Sequence, residues 1–216
     1  MKKILFNDKY GLTEAVLNGT KTMTRRFISS DFTGGYKYEM DDHPLRVDEY
    51  RHLSVSNNTI ISYFPKYKIG EIIAIAQSYK DCGYDGFDEI ENDKIHTPNG
   101  LPTKYVNEEA GWNNKMFVKS SLMKHHIEIT GVYIEKLNDI SDDDCLKEGI
   151  SRITKGDKHY LNKNICARTD GFGFGDCKTL FHSLKTAYSY LIDAIGGKGT
   201  WGMNQYVFVY SFKLID

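Results

Sequence analysis

The sequence predicts an α+β fold, and three observations carry that reading. Short strand-like runs with β-branched and aromatic residues outnumber the helical patterns. The helical patterns are brief and end at glycine. Strands and helices do not alternate as βα units, and no glycine fingerprint of a dinucleotide fold occurs. Three polar, irregular stretches, near residues 29–58, 80–112 and 151–185, read as insertions into one domain spanning residues 1–216.

The elements follow in order. Lys3 to Asn7 is a short apolar run, read as a first strand. Leu12, Ala15 and Val16 share one helical face, and Gly19 after Asn18 stops that helix. Thr20, Thr22 and Thr24 alternate through a strand that emerges from the cap and runs to Phe27. Thr59 to Phe64 and Glu71 to Gln77 are further strands, separated by the Ile69-Gly70 turn. Lys115 to Val118 restarts the apolar pattern. His126 to Leu137 alternates through Ile127, Ile129, Val132 and Ile134, with a slip at Gly131 that predicts a bulge. Ser141 opens a helix whose first turn holds Asp142, Asp143 and Asp144, with Leu146 facing inward and Gly149 as the stop. Thr186 is read as the cap of a helix to Ile195, with Tyr190, Leu191 and Ile195 on its buried side. Gly196-Gly197 ends it, and Tyr206 to Phe212 is a final strand.

Composition narrows the function classes. Lysine plus arginine number 28 and aspartate plus glutamate 29, a net charge of -1. That excludes a histone-like bulk binder of nucleic acid but leaves room for a local basic cleft. No DNA-specific motif is present. No run approaches the ~18 apolar residues of a membrane span. Asn7, Asp8 and Lys9 interrupt any signal core, so a cytoplasmic location is expected. Cys82, Cys145, Cys166 and Cys177 form no CxxC pair, so free thiols are expected and no structural zinc. His125 and His126 are neighbours on a strand, which points them to opposite faces, so joint metal ligation is not expected. No metal and no cofactor is implied.

One segment concentrates chemistry. Gly19 to Arg26 packs Lys21, the hydroxyls of Thr20, Thr22 and Thr24, and two arginines, Arg25 and Arg26, into eight residues. A lysine beside a hydroxyl eases alkoxide formation. With its charge disfavoured by burial and by arginines, it also accepts the proton. The plainer alternative is a solvated basic turn. Glu148 stands at a helix C-terminus, already a negative place, which disfavours its carboxylate and suits it to proton transfer. The plainer alternative there is a surface glutamate. Gly171 to Gly175, with Phe172 and Phe174, is either a glycine-rich turn or a loop that stacks on bases.

These residues resemble a known family. Gly19-x-Lys21-Thr22-x-Thr24-x-Arg26 is similar to the signature of the ASCH domain, a branch of the PUA-like superfamily. Gly70 to Ala74, Ile127 to Thr130, Glu148-Gly149-Ile150 and Trp201 to Phe212 resemble further segments of its phage- and prophage-associated members. The resemblance implies a small PUA-like mixed β-barrel with short flanking helices, closed so that no long edge is exposed. It implies an RNA or a small nucleoside or nucleotide as ligand, in a cleft beside the signature. One bacterial branch of shorter chains hydrolyses N4-acetylcytidine, with a lysine, a threonine and a glutamate matching Lys21, Thr24 and Glu148. By that match Thr24 is the nucleophile, Lys21 the base and Glu148 the acid. Arg25 stands where that branch has an apolar residue, and Gln205 where many phage-type members have proline.

Two functions follow as expectations. The first is an amidohydrolase acting on an N-acylated pyrimidine. The second is a non-catalytic module for RNA or a modified nucleotide, its cleft lined by Lys21, Thr22, Arg25, Arg26 and Lys119 with aromatic stacking. A ribonuclease ranks below both, because no catalytic histidine pair is evident.

Overall fold

A computed structural model describes residues 1–28, 65–87, 105–153, 171–173 and 181–216, with the backbone pairing of strands at 37–38, 52–55 and 59–62. Its main feature is a mixed five-stranded sheet, with few helices. The strands are β1 (Lys3–Ile4), β2 (Met23–Phe27), β3 (Lys37–Tyr38), β4 (His52–Val55), β5 (Thr59–Ser62), β6 (Ile72–Ile75), β7 (His126–Lys136), β8 (Ser151–Ile153), β9 (Gly171–Gly173) and β10 (Tyr206–Leu214). The α-helices are α1 (Leu12–Leu17), α2 (Asp142–Lys147) and α3 (Leu184–Gly196). The large sheet has the order β1-β6-β7-β10-β2; β3-β5-β4 and β8-β9 form small separate sheets. Among the described residues nothing pairs β1 with β2, so these strands form an open sheet and not a closed barrel. No helix among them is long and apolar enough to cross a membrane.

The chain divides into two compact units. The first comprises Met1–Phe6, Ile72–Glu128 and Leu214–Asp216. Here β1 runs parallel to β6, and β6 antiparallel to the start of β7, with Ile73 opposite Ile127. Ile73, Ala74, Ile75 and Ala76 are all buried, as expected of a strand covered on both faces. Tyr79, Cys82, Val106, Val118 and Met123 pack with Ala74 and Ala76 into one core, flanked by Trp112 and Leu122. The stretch 80–112 is therefore not merely an excursion. Among its described residues the polar side chains are largely exposed and a few apolar ones are buried; residues 88–104 lie outside the described set. Gly111 is required there, because a Cβ would meet the Tyr79 ring at 2.4 Å. The Lys3 ammonium donates to the carbonyls of Met116 at 2.6 Å and Val118 at 2.7 Å. His126 Nδ1 lies 2.6 Å from Asp216 Oδ2.

The second unit comprises Asn7–Glu71 and Ile129–Lys213. In it β2 pairs antiparallel with β10, from Met23 opposite Ser211 to Phe27 opposite Val207. Strand β7 extends through Gly131; its hydrogen bonds with β10 pair His126 with Ile215 near one end and Leu137 with Gln205 at the other, a one-residue shift of register of the kind a bulge produces. A Cβ at Gly131 would lie 3.5 Å from Ser211 Cβ, an ordinary contact. Beyond Gly131 both faces of β7 are half-buried, which is why apolar residues occupy both phases of the alternation. In α2, Cys145 is buried and Leu146 is exposed, the reverse of the expected facing. The cap of α3 is Ser183, whose Oγ accepts from Thr186 N, so the helix starts earlier than expected. That start turns Ala187, Tyr188 and Leu191 inward and leaves Tyr190 and Ile195 exposed. Trp201 stacks edge-on against Tyr188, with ring centroids 6.0 Å apart. Cys82 and Cys145 are free, buried thiols; Cys166 and Cys177 lie outside the described residues. Of the stretches 29–58 and 151–185, only β3, β4, β8, β9 and residues 181–185 are described. Phe174 lies outside them.

Candidate active site

Two helix ends place Lys21. Helix α1 stops at Asn18, and Gly19 follows at φ +76, the left-handed region that glycine enters freely. The turn then folds back. Lys21 N donates to Ala15 O at 2.8 Å, and Thr22 N donates to Lys147 O, the last residue of α2, at 2.9 Å. Helix α2 begins at Ser141, whose Oγ accepts from Asp144 N. It ends at Glu148, which Gly149 follows at φ +96. A Cβ on Gly149 would stand 3.5 Å from both Ala15 Cβ and Lys21 Cβ, so the two helix ends meet closely at this point.

The result is a buried ion pair. Lys21 Nζ donates to Glu148 Oε2 at 2.6 Å and to Glu148 O at 2.8 Å. Lys21 is 2% exposed and Glu148 4%. A cation at a helix C-terminus satisfies an end carbonyl and offsets the negative end of the dipole. Burial pushes the Lys21 ammonium below its ordinary range, against the opposing pull of Glu148; Arg26 and Arg25 push it the same way as burial.

Arg25 occupies the other carboxylate oxygen. Its Nη1 donates to Glu148 Oε1 at 3.0 Å. Glu135 Oε1 lies 2.6 Å from both Nε and Nη2, and Asp144 Oδ2 lies 3.2 Å from Nη2. Asp144 also accepts from Lys147 Nζ at 3.0 Å. Every nitrogen of the Arg25 guanidinium thus faces a carboxylate of the protein, where a ligand contact was expected. Burial raises the Glu135 carboxyl above its usual range despite the adjacent guanidinium.

Strand alternation sets the remaining residues. Met23 and Arg25 share one face of β2. Thr24 and Arg26 share the other, opposite Tyr210 and Phe208 of β10. Thr24 is buried. Lys21 stands two residues before β2, where strand alternation does not govern it. Thr22 is half-buried, and its carbonyl accepts from Phe212 N. Arg26 is half-buried and lies close enough to Tyr67 for its charge to act on that phenol. Lys119 belongs to the first unit, where it is exposed and its charge acts on Tyr79.

The structure therefore joins Lys21 to Glu148 and adds Arg25, Glu135 and Asp144. Sequence reading took Asp144 as a helix-capping residue and passed over Glu135. Its signal was its two-residue spacing from Tyr133 in the half-buried stretch of β7. Tyr133, in the same phase, has its phenol pushed up to about 12 by burial and by the charges of Glu135 and Asp144.

Comparisons with protein-family models, with curated proteins and with solved structures found no match to this chain.

Proposed function

We propose that the Lys21–Glu148 pair is the catalytic centre of an ASCH-type amidohydrolase that removes an acyl group from the exocyclic amine of a pyrimidine nucleoside or base. The observation that carries the reading is the buried 2.6 Å contact between an amine and a carboxylate. In a desolvated pair the proton moves readily between partners, because transfer from ammonium to carboxylate neutralises both. The neutral form supplies an amine that accepts a proton and a carboxylic acid that donates one.

The steps balance on these residues. Thr24 Oγ attacks the acyl carbon, and its proton passes to Lys21. The C–N bond breaks as the Glu148 proton reaches the leaving amine. Water then hydrolyses the acyl-threonine to a carboxylic acid and free Thr24. Arg25 anchors the Glu148 carboxylate through Oε1. On this reading the five-stranded sheet is part of a PUA-like barrel.

A second reading is a non-catalytic site for RNA or a modified nucleotide. The closure of Arg25 on Glu148 favours it, since both oxygens of the acid are already held.

The test is turnover of N4-acetylcytidine, with cytidine separated by chromatography. Wild type is expected to release cytidine, and Thr24→Ala and Lys21→Met to lose at least about 100-fold. Absence of release by folded wild type overturns the hydrolase reading. Salt-sensitive retention of the nucleoside or of a short RNA then supports the binding reading.

A further inference from the structure

Helix α3 brings one more polar group to this cluster. Tyr188 is 1% exposed, and its hydroxyl is fully buried without a hydrogen-bond partner among the described residues. A buried hydroxyl left unpaired costs about 1–3 kcal/mol. Native proteins rarely leave one so, and internal water commonly fills the role. Its surroundings are polar. Helix α3 packs on α2, which carries Asp144, Cys145 and, at its end, Glu148. After burial, the groups that act most on the phenol are Glu148, Arg25, Cys145 and Glu135. Burial and the two carboxylates hold it protonated, while Arg25 works the other way, so it acts as a donor.

We propose that Tyr188 is a positioning residue for Glu148, its hydroxyl donating through one internal water to the Glu148 carboxylate. The neighbours of the phenol supply the polar partners such a water needs. The ring is fixed by its edge-on contact with Trp201, so the donor is held in place before any ligand arrives. With Lys21 on Oε2 and Arg25 on Oε1, a third donor completes the orientation of the carboxylate and biases where the shared proton rests. The proposal rests on the hydrolase reading for its catalytic meaning, but its structural content is tested without turnover.

The experiment uses the full chain labelled with [13C]glutamate, at one fixed pH. Tyr188→Phe keeps the ring and removes the donor. The Glu148 side-chain carboxyl resonance is expected to move, while the exposed-site control Tyr190→Phe leaves it in place. 3-Fluorotyrosine at position 188 strengthens the donor and is expected to move the resonance the other way, which covers the case in which Tyr188→Phe folds poorly. An unmoved resonance overturns the proposal, whatever happens to stability. Where wild type turns over N4-acetylcytidine, Tyr188→Phe lowers kcat about tenfold with KM unchanged, as for residues that orient a reacting group. A wild type that fails to turn over removes the hydrolase reading and leaves the resonance test intact.

Discussion

Two lysines, one in each unit, differ in the groups that receive their hydrogen bonds. Burial lowers the pKa of both Lys3 and Lys21. Lys3 donates to backbone carbonyls, at Met116 and Val118. Carbonyls accept hydrogen bonds but do not take a proton, so these contacts tie chain segments together. Lys21 faces the carboxylate of Glu148. On the hydrolase reading that carboxylate is the group that exchanges a proton with Lys21. Desolvation sets up the chemistry only where the acceptor is itself an acid.

The largest expected effect falls on the shared anion. Glu148→Gln leaves Lys21 buried without its carboxylate and is expected to cost about 3–5 kcal/mol in urea unfolding. A loss under about 1 kcal/mol would show that the pair is not desolvated. Lys21→Met is milder, about 2 kcal/mol, because Glu148 keeps Arg25. Lys3→Met is expected near 1 kcal/mol. If the proposed hydrolase reading holds, turnover is expected to separate the two lysines more sharply, Lys3→Met retaining it and Lys21→Met abolishing it. Equal effects of the two variants on cytidine release would break the comparison.

Next in size is a test of α2. Cys145→Ser places a hydroxyl at a fully buried position, at a cost of about 1–2 kcal/mol. Leu146→Ser, on the exposed side, is expected within about 0.5 kcal/mol of wild type. A reversed order in thermal unfolding would restore the facing read from sequence.

The smallest effect is the pH dependence of Lys21. Its folded pKa is depressed below the ordinary 10.5, so in the window just below 10.5 the unfolded chain binds more protons than the folded one. Stability from this group therefore rises with pH through that window and levels off above it. Wild type is expected to gain on Lys21→Met between pH 8 and 10, by no more than about 1.4 kcal/mol per unit. A constant difference across that range would mean that Lys21 titrates as a free lysine does.

Local signals made much of this legible in advance. Gly19 and Gly149 at helix ends, Ser141 as a cap and the β-branched runs placed α1, α2 and the main strands. They placed Lys21 and Glu148 at two chain corners, because caps and turns depend on neighbours in sequence. Facing was less legible where both sides of an element are covered. Leu146, Tyr190 and Ile195 have the right hydrophobicity for a core, and helix phase turns them outward all the same.

The sequence by itself determined the element types, the two helix stops and the unusual chemistry of the Gly19–Arg26 segment. Only the tertiary structure decided that Lys21 and Glu148 meet, that Arg25 turns inward to three carboxylates, and that Thr24 takes the opposite face of β2. The reason is physical. A turn or a cap is settled within a few residues, but a buried charge is tolerable only beside its counter-charge, and here that partner lies more than a hundred residues away along the chain.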